Sequence, residues 1–435
     1  VSQEPFWKVP EEIFSNLKVR ASYGSLGNGN IDPYSFQELF KIKQSSLVLN
    51  GIRPQYTGQP AVIPLGLTWE KSTTLNLGLD FAFLSNRLQF SGDIYQRKTT
   101  DMFTVGMSLP AVFGTDVPKG NYADLTTKGF ELSVSWRDQF QLASKPFNYE
   151  VRFTLADYQS TIDKYNNPEK KLGDDYYYEG MKVGEIWGYE TEGFFTSQAD
   201  IDSHAKQPYF YAGATAGQWL PGDIKFKDLN GDGVIDYGNN TVDNPGDQKI
   251  IGNSEPRFIY GINLSGDWNN FFVSAFFQGV GKQDWWPGSE ASYFWGMYNR
   301  PYNDMPKSHL GNIWTEENPN TYFPRLRGYS SEEPYAELNL KQTRYLQNIA
   351  YIRMKNIQLG YTLPKSFISK LRMQNAKVYV SGENLWSWSP FYKYSKDLDV
   401  EAVRGSDRDL TEGTSGNGYS YPILKSVSFG LSVTF

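Results

Sequence analysis

The end of the chain alternates strictly. Val427, Phe429, Leu431, Val433 and Phe435 are separated by Ser428, Gly430, Ser432 and Thr434. A β-strand turns successive side chains to opposite faces, so such a stretch carries one apolar and one polar face. The same pattern runs through Leu75, Leu77, Leu79, Phe81 and Phe83, through Phe130, Leu132, Val134 and Trp136, through Tyr149, Val151, Phe153 and Leu155, and through Leu17, Val19, Ala21 and Tyr23. It is weaker over 258–266, 271–282, 351–362 and 376–388. A further strand starts at Leu88, after a tight Ser85-Asn86 turn. The chain is therefore expected to be all-β, with strands at 17–26, 73–84, 87–103, 127–138, 148–162, 258–267, 270–282, 350–362, 376–388 and 426–435.

The gaps between these strands alternate in length. Long ones fall at 27–72, 104–126, 163–257, 283–349 and 389–425, short ones at 85–86, 139–147, 268–269 and 363–375. A transmembrane antiparallel up-and-down β-barrel has short turns on its periplasmic side and long loops outside. The polar strand faces carry Lys18, Arg20, Asp80, Asp93, Glu131, Arg137, Glu150 and Arg152. A soluble sandwich or propeller also alternates, but a charged inner and apolar outer face is inside-out for it and normal for a barrel with a wet lumen. If the last strand ends in the periplasm, the first runs outward and every long gap is extracellular, notably 163–257 and 283–349. Val1 begins no signal peptide. The expectation is a cut inside a longer chain, with further strands and a lumen-filling segment before it.

Composition supports this reading. Mean hydropathy is −0.53, yet 16 % of residues are aromatic, and a wet-lumen barrel reconciles the two because only every second strand residue meets lipid. Trp and Tyr also favour membrane–water interfaces. There is no run of about 18 apolar residues to form a membrane-spanning helix. With 0 cysteines, neither disulfides nor thiolate metal sites arise, and the 2 histidines, His204 and His309, are too far apart in sequence to suggest a zinc centre. A net charge of −6 leaves no basic excess for nucleic acid.

Several segments resemble the C-terminal half of SusC/RagA-type TonB-dependent transporters, outer-membrane proteins of the Bacteroidota. They are LKVRASYGSLGN (17–28), TWEKSTTLNLGLDFAFLSNRLQFSGDIYQRKTTDMF (68–103), TTKGFELSVSW (126–136), PGDIKFKDLNGDGVID (221–236), IIGNSEPRFIYGINL (250–264), YIRMKNIQLGYTLP (351–364), VYVSGENLW (378–386) and FGLSVTF (429–435). The resemblance covers residues 1–435 nearly end to end and rests on the order and spacing of these segments. It implies that the chain is the C-terminal part of a 22-stranded barrel whose N-terminal strands and plug domain lie outside this sequence. It further implies TonB as a partner acting through that absent N-terminal region, a SusD-like surface lipoprotein as lid, and glycan or peptide as cargo. Such transporters are integral to the cell outer membrane, and their pairs often dimerise. Phe435 resembles the terminal signal read by the barrel-assembly machinery.

One local motif carries metal chemistry. Asp228, Asn230, Asp232, Val234 and Asp236 match the start of an EF-hand loop, with side-chain oxygens at positions 1, 3, 5 and 9, a backbone carbonyl at 7 and Gly233 at the bend. Position 12 is Asn239 instead of the usual bidentate Glu, so Asp243 or Asp247 would have to complete the shell. Calcium bracing a long loop is one expectation; an acidic turn that binds nothing is the other.

Aromatics crowd the long gaps: Trp219, Tyr209, Phe210 and Tyr211; Trp285, Trp286, Tyr293, Phe294, Trp295, Tyr298 and Tyr302; Trp386, Trp388, Phe391 and Tyr392. They suit sugar stacking, an interfacial girdle, or packing of loops on each other. Trp295 and Tyr298, mid-loop, are the candidate ligand-binding pair. Adjacent acids at Glu332-Glu333 and Asp174-Asp175 lack any placement across a scissile bond, and no phosphate loop, nucleophile elbow or HExxH occurs. No enzymatic activity is expected. The leading function is outer-membrane nutrient import. The alternatives are a barrel anchoring or scaffolding surface proteins, and a soluble β-rich carbohydrate-binding protein.

Overall fold

The computed structural model describes the chain except residues 30–36, 107–111, 113–116, 209–217, 303–304, 333–335 and 404–420, and positions 1, 3, 9, 11, 12, 59, 61, 64, 65, 174, 175, 290 and 300. Ten antiparallel strands form one sheet in sequence order: β1 (Phe14–Asn28), β2 (Glu70–Phe83), β3 (Leu88–Val105), β4 (Lys119–Leu142), β5 (Lys145–Lys164), β6 (Arg257–Trp268), β7 (Phe271–Lys282), β8 (Tyr351–Thr362), β9 (Asn375–Trp388) and β10 (Ser426–Thr434). All ten expected strands are present, and every long connection leaves the same end of the sheet. Among the described residues β1 and β10 do not pair with each other.

The register keeps one face apolar across the sheet. Val19 lies opposite Leu79, Leu79 opposite Gly92, Gly92 opposite Leu132, Leu132 opposite Leu155, and Leu155 opposite Tyr260. Farther along, Leu359 faces Val380 and Val380 faces Phe429. A slip by one residue would turn every member of such a row inward. This face is exposed in the chain alone: Phe429 is 87 % accessible, and Leu75, Leu77, Ile94, Val151 and Leu359 are also open. Covering such side chains is worth roughly 1.5–3 kcal/mol each, which a hydrocarbon phase supplies.

The strand ends differ from expectation where alternation breaks. The β4–β5 turn is only Ala143 and Ser144, both in the left-handed region (φ 48° and 60°), instead of the nine-residue gap expected at 139–147. β3 and β4 run on to Val105 and back to Lys119 past register shifts around Asp101, whose φ is 58°. The bulge resets the parity, so periodicity stops before the pairing does. The β2–β3 turn takes in Leu84, Ser85 and Asn86, all at positive φ. On β10, Gly430 leaves room for the Tyr379 ring from β9; a Cβ there would sit 2.1 Å from that ring.

The main buried core lies outside the barrel wall. Tyr189, Ile224, Phe226 and Ile235 from the 165–256 connection pack with Trp285, Phe294, Trp295, Tyr298, Phe323, Leu338 and Tyr345 from 283–350, and with Phe391, Leu398, Val400 and Val403 after β9. Three connections thus fold together as a cap. A two-stranded ribbon, Glu185–Tyr189 with Gln248–Asn253, supports it.

Candidate functional site

The polar face of the sheet is wired by charge. Arg20 donates from Nε and Nη2 to Asp80 at 2.8 and 2.9 Å, and from Nη1 and Nη2 to Asp93 at 2.7 Å each. Asn76 Nδ2 donates to Asp93 at 2.9 Å and Ser91 Oγ to Asp80 at 2.6 Å. Gly78 makes the crossing feasible, since a Cβ there would lie 2.5 Å from Asp93 Oδ1 and 2.6 Å from the Arg20 guanidinium carbon. Farther round, Glu150 accepts from Arg137 at 2.9 Å and from Arg152 at 3.2 Å. These residues hold the parity expected of a wet inner wall. Two carboxylates thus share one arginine, with Lys18 opposite Asp80 and Glu131 opposite Asp93 on the same face.

The acidic loop is folded around its own amides. Asp228 accepts from Gly231 N at 2.6 Å and Gly233 N at 2.9 Å, Asn230 from Asp232 N at 2.9 Å, Asp232 from Val234 N at 2.9 Å, and Asp236 from Gly238 N at 2.7 Å. Gly231 and Gly233 supply φ of 77° and 82°, as the bend requires. Asp247 lies fully buried beneath and accepts from Leu229 N at 2.7 Å and Asp236 N at 2.9 Å. Burial pushes its carboxyl up, whereas the Gly233 amide pulls that of Asp228 down. The all-oxygen donor set suits a hard cation. As placed, however, no three acidic or histidine side chains among the described residues converge as a metal shell. An ion would have to bring these oxygens together, each of which keeps a lone pair beyond its amide bond.

Trp295 and Tyr298 do not present a face to a sugar as placed. Both are fully buried in the cap, with Trp295 Nε1 donating to Gly288 O at 3.0 Å and Tyr298 Oη to Pro324 O at 2.6 Å. Their spacing on a short helical turn (Ser292–Tyr298) points both rings into the core, which sequence position alone does not reveal. Trp285 and Phe391 are buried with them, while Tyr293, Tyr302, Trp386 and Trp388 stay exposed. Tyr209, Phe210, Tyr211, Asp174, Asp175 and Glu333 lie outside the described residues.

Two charged clusters hold the cap without any motif in the sequence to mark them. Arg327 grips Asp223 through Nε and Nη2 at 2.8 and 2.5 Å. Glu337, fully buried beside them, accepts from Ile224 N at 2.7 Å, and its Oε1 has no hydrogen-bond partner. Burial, reinforced by Asp223, pushes the Glu337 carboxyl well up from the usual carboxylate range. Nearby His309 stacks on Phe323 at 4.1 Å, and burial lowers its pKa to about 4. The second cluster ties the barrel to the last connection. Arg353 on β8 donates to Asp399 at 2.5 Å and lies 2.8 Å from Glu401, the latter without hydrogen-bond alignment, while Lys355 meets Glu401 at 2.5 Å. Each pair spans tens of residues, beyond the reach of a local pattern.

A family model described as "TonB dependent receptor-like, beta-barrel" matches residues 7–230. TonB-dependent receptor P3 of Formosa agariphila is 28 % identical over 100 % of this chain and 41 % of its own length. TonB-dependent receptor SusC of Bacteroides thetaiotaomicron is 24 % identical over 99 % of this chain and 39 % of its own. The chain thus spans about two fifths of the length of these curated relatives. Among solved structures, the RagAB peptide importer in its closed-closed state superposes with a TM-score of 0.71 at 19 % identity, covering 100 % of this chain and 42 % of that one.

Proposed function

The chain belongs to the TonB-dependent receptor-like β-barrel family, and on that premise we propose that it forms part of the wall and the outer loop cap of a SusC-type importer in the outer membrane, taking up oligosaccharide or peptide. The observation that carries this reading is the division of labour in the fold. An apolar outer face and a more polar inner face, charged on several strands, run through the ten-stranded sheet, and three connections build a folded cap at one end. A wall with a wet inner side and a structured mouth suits passage of a polar solute. In hydrocarbon the two unpaired sheet edges would need strand partners, and these belong to the larger, 22-stranded barrel. TonB, acting on a plug domain beyond these residues, supplies the pull. A SusD-like surface lipoprotein closes the mouth, and transporter pairs dimerise. Likeness to a solved peptide importer and to the TonB-dependent receptor SusC favours import over a purely structural anchor.

The test is extraction of the full-length parent from its native outer membrane in mild detergent, with mass spectrometry of everything retained. A stoichiometric surface lipoprotein together with glycan or peptide supports the lidded importer. A barrel that retains other surface proteins, and whose deletion leaves uptake of every tested nutrient unchanged, favours the anchor.

A further inference from the structure

Beside the ribbon of the cap lies a half-open cavity of about 380 Å³, bounded by Leu172, Gly173, Tyr176, Tyr178 and Met181, by Tyr237 and Gln248, and by residues 339–341. That volume falls within the roughly 300–1,000 Å³ of small-molecule sites. None of the chemistry described above uses it. Its walls are aromatic. Tyr178 and Trp187 form the inner side, locked by Trp187 Nε1 donating to Tyr178 Oη at 3.3 Å and by that hydroxyl donating to Glu185 at 2.5 Å. Tyr176 and Tyr237 stand at the rim, 48 % and 37 % exposed. Two amides also line the space. The Asn339 side chain has no partner among the described residues, and Gln248 uses only Nε2, at 3.5 Å from Asn240 Oδ1.

We propose that this cavity is a saccharide subsite of the cap, holding part of a neutral oligosaccharide; the inference rests on the import reading and specifies where cargo is first held. Sugar rings offer C–H faces to stack on Tyr176 and Tyr237 and hydroxyls that both donate to and accept from amides such as Asn339 and Gln248. Among the described lining residues Glu185 is balanced by Lys341, and Glu185 is already engaged by Tyr178 and by Lys182 N at 3.1 Å. A peptide that docks by strand addition would need a free strand edge to pair with. At this cavity the edge is taken: Tyr189 N donates to Lys341 O at 2.8 Å and Thr343 N to Tyr189 O at 3.0 Å. Gly188 packs so closely there that a Cβ would lie 2.4 Å from Lys341 O.

The experiment uses the full-length transporter with its native partners in detergent, titrated calorimetrically with short neutral glucan, mannan and fructan oligosaccharides and, separately, with mixed peptides. The expected result is that at least one oligosaccharide binds and perturbs Trp187 fluorescence. The Tyr176→Ala/Tyr237→Ala double variant should weaken that binding by about tenfold or more, and Tyr176→Phe/Tyr237→Phe should retain it, because stacking needs the ring and not the hydroxyl. Heat-modifiable migration on gels checks that the variants keep the barrel. Equal affinity of wild type and the Ala double variant overturns the subsite, as does binding of peptides alone. Neither result touches import itself, which fails separately if cells deleted for the parent take up every tested nutrient at the wild-type rate.

Discussion

Arg327 closes a two-point ion pair on Asp223, 104 residues earlier in the chain, with its guanidinium 7 % exposed and the carboxylate completely buried. The pair joins two long connections that share no strand. A buried pair of this kind is weak evidence of net stabilisation, yet removing one member strands the other charge in a dry core. Arg327→Leu is therefore expected to cost the cap about 3–5 kcal/mol while leaving the ten strands intact. Protease digestion of intact outer membranes reads this out: new cleavage within 165–256 and 283–350, with unchanged heat-modifiability of the barrel. An unchanged cleavage pattern would mean that the cap stands without the pair.

The cap should also respond to acid through His309. Its folded pKa of about 4 lies below the ordinary 6.5 because burial disfavours the charged ring. The stability it contributes is full above pH 6.5 and is lost as pH falls toward 4, roughly 3 kcal/mol at about 1.4 kcal/mol per pH unit. Glu337 works with the opposite sign: its raised carboxyl favours the folded cap at low pH and loses that contribution as pH rises. The measurement is thus a difference, hydrogen exchange over 291–323 in wild type and His309→Phe between pH 7.5 and 4.5. Exchange in wild type should accelerate on acidification relative to the variant; parallel curves would refute the assignment.

Outer and inner faces of the wall differ in their tolerance of charge. Leu79→Arg places a cation among the exposed apolar residues of β2 and should cost roughly 2–4 kcal/mol if it meets the bilayer midplane. Asn263→Arg, on the polar face of β6, should cost much less. Parity alone would rank Asp80→Arg as equally mild, but Asp80 grips Arg20 through two hydrogen bonds, so that exchange sets two cations against each other. Unfolding by urea in lipid vesicles compares the three. Similar losses for Leu79→Arg and Asn263→Arg would refute the assigned facing, and a larger loss for Asn263→Arg would show it to be inverted.

Calcium at residues 228–236 is a proposal that the donor set supports, although no metal shell is assembled among the described residues. If it binds, titration of calcium chloride into the full-length protein gives a saturable isotherm that Asp232→Ala abolishes, and the 165–256 connection gains protease resistance. Heat indistinguishable from buffer up to millimolar calcium would leave the loop as a turn closed by its own amides.

Alternation in the chain was enough to place all ten strands, their order, and which face is apolar, because a period of two is a local property and a one-residue slip would invert it everywhere. The acidic loop was legible from a separate signal, the contiguous motif from Asp228 to Asp236, and its binding of an ion stays a proposal. Alternation failed at Asp101 and Ala143, where a bulge and a two-residue turn lie among residues that do not alternate. Only tertiary structure decided the fate of Trp295 and Tyr298, buried instead of offered to a ligand, because a ring's exposure depends on what two distant loops bring over it. The same holds for Arg327 with Asp223, Arg353 with Asp399, and the cavity between Tyr178, Tyr237 and Asn339. These contacts join residues tens to more than a hundred positions apart, and what each is worth depends on its burial, which no stretch of sequence reports by itself.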